Sequence, residues 1–268
     1  MSKKYLHQKQ LSCLAALSPA ASSDMNHSPL TSHYSLKRKL AFTLAETLIT
    51  LGIIGVVAAL TLPSVITNYQ EKATVVKLKK CFTQISQAYM NILTEEGGSD
   101  SLKAGTDVEL MQKFGKYLKY QKVCGRQRGC FPSNMYKSVT GVNYSTFDDN
   151  NRDTSRAILA DGTLIMFNIS RVAGNSNNKL AFAQIYVDIN GFKGPNQLGR
   201  DFFYFYLTPD KVFPGGAQET VKWFPEQEFT VNCLKQNGFA CAAWVIYNEN
   251  MDYLHCKDLD WSTKTKCK

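Results

Sequence analysis

At 268 residues, 44% of them hydrophobic, the chain can build one sizeable domain plus an anchor, and its ordinary composition excludes a disordered or fibrous protein. The net charge of +9 does not by itself indicate a nucleic-acid binder. Residues 1–41 hold six Lys or Arg against one acid, which takes +5 of that charge and leaves +4 for the rest.

Residues 1–36 are polar, Ser-rich and without apolar periodicity, so they read as a leader outside any core. Met25 is an alternative start, which would shorten the leader to the 17 residues Met25 to Ala41, ending in the basic cluster Lys37, Arg38 and Lys39. From Thr47 to Gln70 there are 24 residues without a charge. As a helix this stretch is about 36 Å long, enough to span a bilayer. The basic cluster on its N-terminal side places that end in the cytoplasm and the remainder outside.

The helix is expected to continue past the membrane, because Val75, Leu78, Phe82, Ile85, Tyr89 and Ile92 recur at spacings of three and four. Gly97 and Gly98 end it. The predicted divisions are a leader over 1–41, a transmembrane and assembly helix over 42–68, an amphipathic continuation over 69–96 and an extracytoplasmic domain over 97–268. Within that domain a short helix is predicted between Asp107 and Lys119, then the loop CGRQRGC, then strands. AILADGTLIMFNI carries Asp161-Gly162 between apolar runs, a strong hairpin cue, and AFAQIYVDI and DFFYFYL read as two further strands. A long helix followed by an antiparallel sheet is an α+β fold, with the helix stripe packed on one sheet face. The last 55 or so residues, rich in Cys and aromatics, read as a stapled extension of the same domain.

Eight cysteines occur and only Cys13 precedes Ala41, leaving an odd seven. Without a tight CxxC pair, and beyond an export signature, they point to an oxidising compartment and a partial disulfide framework. Connectivity is open to 105 possibilities, of which nearest-neighbour pairing is expected: Cys124 with Cys130, Cys233 with Cys241 and Cys256 with Cys267. Cys81 then either clamps the helix to the sheet or stays a buried free thiol.

The segment KRKLAFTLAETLITLGIIGVVAALTLPS combines a basic cluster, the small Ala41, Phe42, a lone Glu46 and an apolar helix. A carboxylate in an apolar helix costs about 2.5–3.5 kcal/mol near the bilayer centre, so Glu46 needs a partner. Cleavage before Phe42 frees an amine that can pair with the Glu46 of a neighbouring subunit. Over residues 37–68 this segment resembles the type IV prepilin family, which includes the pseudopilins of type II secretion. The resemblance implies a pilin-like fold, cleavage after Ala41 and N-methylation of Phe42 by a prepilin peptidase, an essential Glu46 in assembly, and a helix-kinking role for Pro63. Ala41 departs from the glycine usual in the family. The implied partners are the peptidase, other pilin or pseudopilin subunits, an inner-membrane assembly platform and membrane lipid. The implied location is the bacterial inner membrane, then a periplasmic pseudopilus or surface pilus. A plain signal peptide fits less well, since it would not place a glutamate five residues into its apolar region.

Asp188, Asn190, Asn196 and Asp201 are hard oxygen donors spaced around glycines in VDINGFKGPNQLGRD, and some pseudopilins carry a calcium-binding loop in a similar position. The competing reading is an Asx-rich turn held by its own side chains. No cofactor is required, and calcium is the one candidate. Lys113, Lys116, Lys119 and Lys122 recur every three residues, with Tyr117 and Tyr120 interleaved and Arg126 and Arg128 following. That stripe is either a phosphate-gripping surface for DNA or a solvated helix face.

Catalysis is not expected. His7, His27 and His33 fall in the leader, leaving His255 alone beside Cys256, and no phosphate- or dinucleotide-binding glycine motif occurs. The expected function is a structural subunit of a pilus or pseudopilus, of minor type given its large globular part. The alternatives are a minor pilin whose domain binds DNA or another ligand and, behind that, an envelope enzyme on a pilin-type anchor.

Overall fold

The computed structural model describes residues 43–98, 105–150, 153–169, 183–221, 225 and 228–267. The leader, Met25, Ala41 and Phe42 lie outside the described residues. The chain divides into two units, Met1–Gly52 and Ile53–Lys268. In the first, the described residues open helix α1, which is assigned over Leu44–Glu96.

In the second unit, α1 changes character along its length. From Ile53 to Gln70 its apolar side chains stand largely exposed, and the helix is long and apolar enough to cross a membrane once. From Val75 onward a stripe turns inward: Val75, Leu78, Cys81, Ile85, Ala88, Tyr89, Ile92 and Leu93 are buried. Each full burial of a Leu or Ile in that stripe stabilises the fold by about 1.5–3 kcal/mol. The helix ends in a Schellman motif, Gly98 N–H donating to Leu93 O at 2.8 Å and Gly97 N–H to Thr94 O at 3.4 Å. Gly97 and Gly98 have φ of 76° and 104°, a region that glycine enters without a Cβ penalty.

Helix α2 (Asp107–Gly115) starts at Thr106, whose hydroxyl accepts from Glu109 N–H at 3.2 Å. It stops four residues short of the predicted Lys119. The chain turns so that Tyr120 lies against Gly115, where an added Cβ would come within 3.0 Å of the ring, and Tyr120 Oη donates to Met111 O at 2.8 Å.

Strands β1 (Tyr120–Gly125), β4 (Thr154–Leu159), β5 (Leu164–Asn168), β6 (Ala183–Asp188), β7 (Phe202–Leu207) and β8 (Val212–Pro214) form one antiparallel sheet in the order β1-β4-β5-β6-β7-β8. A separate small ribbon joins β2 (Tyr136–Lys137) to β3 (Asn143–Ser145). The β4–β5 hairpin turns at Asp161-Gly162, with Gly162 at φ 86°.

Strand alternation sorts the sheet's side chains into two cores. Ala157, Leu159, Ile165, Phe167, Ile185, Val187, Phe203 and Phe205 pack with the α1 stripe and α2. Leu164, Met166 and Phe202 face the other way, with Cys130, Phe131, Tyr136, Phe147 and Leu198, while Tyr204 and Tyr206 pack with Phe213, Ala217 and Ala243. All six residues of β7 are therefore buried. The segment 130–147 and the C-terminal region cover the second face.

Beyond β8 come α3 (Gln218–Val221), a π-helical turn (Phe229–Cys233), a 3-10 turn (Phe239–Cys241), α4 (Ala242–Asn248) and a 3-10 turn (Asp252–Leu254). Phe229 stacks on Trp244 at 4.1 Å, and Trp261 packs against both at 5.5 and 5.0 Å. These residues join the α1-side core, so the C-terminal region is part of the same domain. Three disulfides, Cys124–Cys130, Cys233–Cys241 and Cys256–Cys267, have Cα separations of 6.0, 5.0 and 5.9 Å, inside the range such bridges require. Cys81 is a buried free thiol, and burial pushes its pKa up to about 12, so it is not a nucleophilic thiolate at neutral pH.

Candidate functional site

Two places in the chain gather the residues singled out by the sequence: the head of α1 and the loop between β6 and β7. At the head of α1, Thr43 and Glu46 form a reciprocal capping box. Glu46 N–H donates to Thr43 Oγ1 at 3.2 Å, while Glu46 Oε2 accepts from Thr43 N–H and Thr43 Oγ1, both at 2.9 Å. Its sequence signal is the T-x-x-E spacing from Thr43 to Glu46, which gives the lone charge a local structural role as well. Among the described residues Oε1 accepts no hydrogen bond, so the carboxylate keeps one oxygen for a further partner.

The hydroxyls of Thr47, Thr50, Thr61, Ser64 and Thr67 each donate to a carbonyl three or four residues back, at 2.8–3.0 Å. Backbone-bonded hydroxyls are what an apolar solvent demands, since nothing outside the helix can satisfy them there. Pro63 lies inside the helix, and the carbonyl it leaves without an N–H partner is that of Ala59. One carboxylate thus heads an exposed apolar helix whose other polar side chains, up to Thr67, are satisfied internally.

In the second unit, the β6–β7 loop begins at Asp188 and ends at Asp201, both buried. Asp188 Oδ2 accepts from Tyr136 Oη at 2.6 Å and Oδ1 from Asn190 N–H at 3.2 Å. Asp201 accepts from Gln197 N–H at 2.6 Å, Asn196 N–H at 2.8 Å and Asn190 Nδ2 at 3.1 Å. All four predicted residues are therefore brought together, with Asn190 touching both carboxylates. Tyr136 was not predicted, since 52 residues separate it from Asp188 and only folding brings it there. Gly191 closes the turn at φ 72°, where a Cβ would lie 2.8 Å from Gly162 O of the β4–β5 hairpin.

Burial, then the neighbouring charge of Asp201, pushes the Asp188 carboxyl up to about 8, and burial raises Asp201 as well. Among the described residues the buried side-chain oxygens of Asn190 and Asn196 have no hydrogen-bond partner. Among the described residues no three His, Cys, Asp or Glu side chains cluster as a metal site. The loop instead offers two carboxylates and two unpaired carboxamide oxygens, a hard-oxygen donor set that fits calcium better than a transition metal.

This arrangement has a measurable consequence. Asp188 is raised above its ordinary value of about 3.9, so the metal-free folded state binds more protons than the unfolded state between the two values. In a chelator, the contribution of Asp188 to stability is fully present below about pH 4 and is lost as pH rises toward about 8. Calcium, by holding both carboxylates ionised, is expected to raise the thermal midpoint at pH 8 and to do little at pH 4. Identical midpoints at pH 8 with calcium and with chelator would remove the cation from this loop.

The lysine stripe is largely spent on its own neighbours. Lys113 pairs with Glu96, both side chains about four-fifths buried, and Lys116 pairs with Glu95 at 2.9 Å. Lys122 donates to Gly129 O at 2.8 Å, and Lys119 lines a groove beside Lys80 and Asp161. Arg126 is held by Asp107 and Asp153. The two glutamates in the last turn of α1 thus neutralise half of the row that would grip phosphates. His255 Nε2 lies 2.9 and 3.0 Å from the two Glu71 carboxylate oxygens, and Cys256 is bridged to Cys267, so the pair presents no thiolate. A scan against protein-family models and searches of curated proteins and solved structures return no match.

Proposed function

We propose that this chain is a prepilin-like structural subunit, cleaved after Ala41, N-methylated at Phe42, and assembled through α1 as a minor component of a type II secretion pseudopilus or type IV pilus. The observation that carries the reading is Glu46. It is a carboxylate with one oxygen free among the described residues, at the head of an exposed helix that runs without another charge to Glu71. A simple anchor has no use for that charge, whereas a packed array of such helices does. In the array the freed Phe42 amine of one subunit neutralises Glu46 of the next inside an apolar layer, which fixes the axial stagger of neighbours.

On this reading Lys37, Arg38 and Lys39 stay cytoplasmic and the sheet domain lies outside the inner membrane, where its disulfides form. The β6–β7 loop is the element proposed to take calcium. Mass spectrometry of the chain from a host with and without its prepilin peptidase tests the reading. A methylated Phe42 terminus that disappears without the peptidase is the expected result, and an intact leader in both hosts would overturn it.

A further inference from the structure

Beside the candidate calcium donors, and sharing Asn190 and Asp201 with them, the second unit holds a group of cations. A groove of about 390 Å³ runs between Tyr69–Lys77 of α1 and the β6–β7 loop, and its walls carry Lys77, Lys193 and Arg200. Among the described residues these three side chains make no hydrogen bond or ion pair. The groove's two acidic side chains are occupied: Glu71 faces His255, and Asp201 is buried beneath three N–H donors. Three cations therefore line the groove against the two carboxylates of Glu71 and Asp201, which leaves an excess of positive charge.

The position of the groove along α1 indicates what fills it. Its helical wall begins at Tyr69, one residue before the uncharged stretch ends at Gln70. Tyr69 is 74% exposed, and Phe192, next to Lys193 on the loop, is 56% exposed. Exposed aromatics beside Lys and Arg at the end of an apolar span are the pattern of a membrane–water interface, where rings sit at headgroup level and cations meet phosphate. Arginine in particular offers a fork of donors that matches phosphate oxygens.

We infer that this groove seats the headgroup of an anionic phospholipid in the outer leaflet of the bilayer that α1 crosses. The inference rests on reading α1 as membrane-spanning. The bound headgroup neutralises Lys77, Lys193 and Arg200 and holds the loop down on the membrane surface, so subunits awaiting assembly sit at a set height in the bilayer.

The test is hydrogen exchange on the full-length chain in nanodiscs at fixed calcium. One disc contains phosphatidylglycerol, a second only phosphatidylcholine, and a third is the second with added inorganic phosphate. Amides of 192–200 are expected to exchange more slowly in the first disc alone. Each cation contributes about a fivefold preference for an anionic surface, so Lys193→Gln with Arg200→Gln removes most of the protection, and Lys77→Gln alone removes part of it. Unchanged exchange in β6 and β7 reports that the variants remain folded. Equal exchange in all three discs, or equal protection by inorganic phosphate, overturns the lipid site while leaving the anchor intact. Failure to enter any disc overturns the spanning helix and the site together, and is read separately as loss of co-elution.

Discussion

Replacing Glu46 with glutamine is expected to leave the chain in the membrane fraction and to abolish its recovery in sheared filaments. The choice of glutamine separates two roles that the structure superimposes on one side chain. A carboxamide oxygen at position 46 still accepts from Thr43 N–H and Oγ1, so the capping box and the start of α1 survive. Only the charge is lost. If Glu46 neutralises the Phe42 amine of a neighbour within an apolar layer, its removal leaves that amine buried and unpaired, at a cost of about 3–5 kcal/mol. Such a cost lowers incorporation by on the order of a hundredfold or more. Glu46→Ala removes the cap as well and is expected to fail equally in assembly while still fractionating with membranes. Filaments formed by Glu46→Gln at wild-type yield would sink the charge-pairing account, and loss of both variants from the membrane would show that Glu46 acts in insertion instead.

The second large effect concerns the core. Phe114 is fully buried where three elements meet: its ring lies 6.3 Å from Tyr89 of α1, nearly parallel at 6°, and 5.2 Å from Phe167 of β5. Tyr89 is itself tied to the loop before β8 by its hydroxyl, which donates to Thr208 O at 2.6 Å. Truncating Phe114 to alanine removes a ring that helix, helix and sheet all contact, and the surrounding secondary structure is too stiff to close the void. The expected loss is about 3–5 kcal/mol. At about 2–4 °C per kcal/mol for a domain of this size, the thermal midpoint falls by about 6–20 °C. Met90→Ala, on the exposed side of the same helix, is expected to change stability by no more than about 0.5 kcal/mol. Unfolding of the full chain in micelles, followed by tryptophan fluorescence, compares the two, and equal midpoints would contradict the placement of α2 in the core.

Features that depend on near neighbours were legible before folding was considered. The α1 stripe follows from spacing, its end from Gly97-Gly98, the β4–β5 turn from Asp161-Gly162, and the three disulfides from pairing each cysteine with the next. Each is a contact across at most a dozen residues, where backbone geometry leaves few alternatives. The capping box at Thr43 and Glu46 belongs to the same class, since its T-x-x-E partners lie within one helical turn.

Other properties arise only where distant segments meet. Phe202, Tyr204 and Tyr206 gave no indication of what would cover the second face of the sheet, because their alternation specifies a face and not its partner. The sequence left the row at Lys113 and Lys116 open between a phosphate-gripping surface and a solvated face, and the fold sets these lysines against Glu96 and Glu95, 17 and 21 residues away. The β6–β7 loop owes its buried carboxylates to Tyr136 and to the packing around it, since burial and not composition raises the Asp188 carboxyl. By itself the sequence determined the chain's local units: an apolar helix headed by one carboxylate, its amphipathic continuation, the hairpin and the staples. Only the tertiary structure decided which charges are consumed and which, at Lys77, Lys193 and Arg200, have no ion-pair partner among the described residues, because an ion pair depends on distance in space and the sequence records distance along the chain.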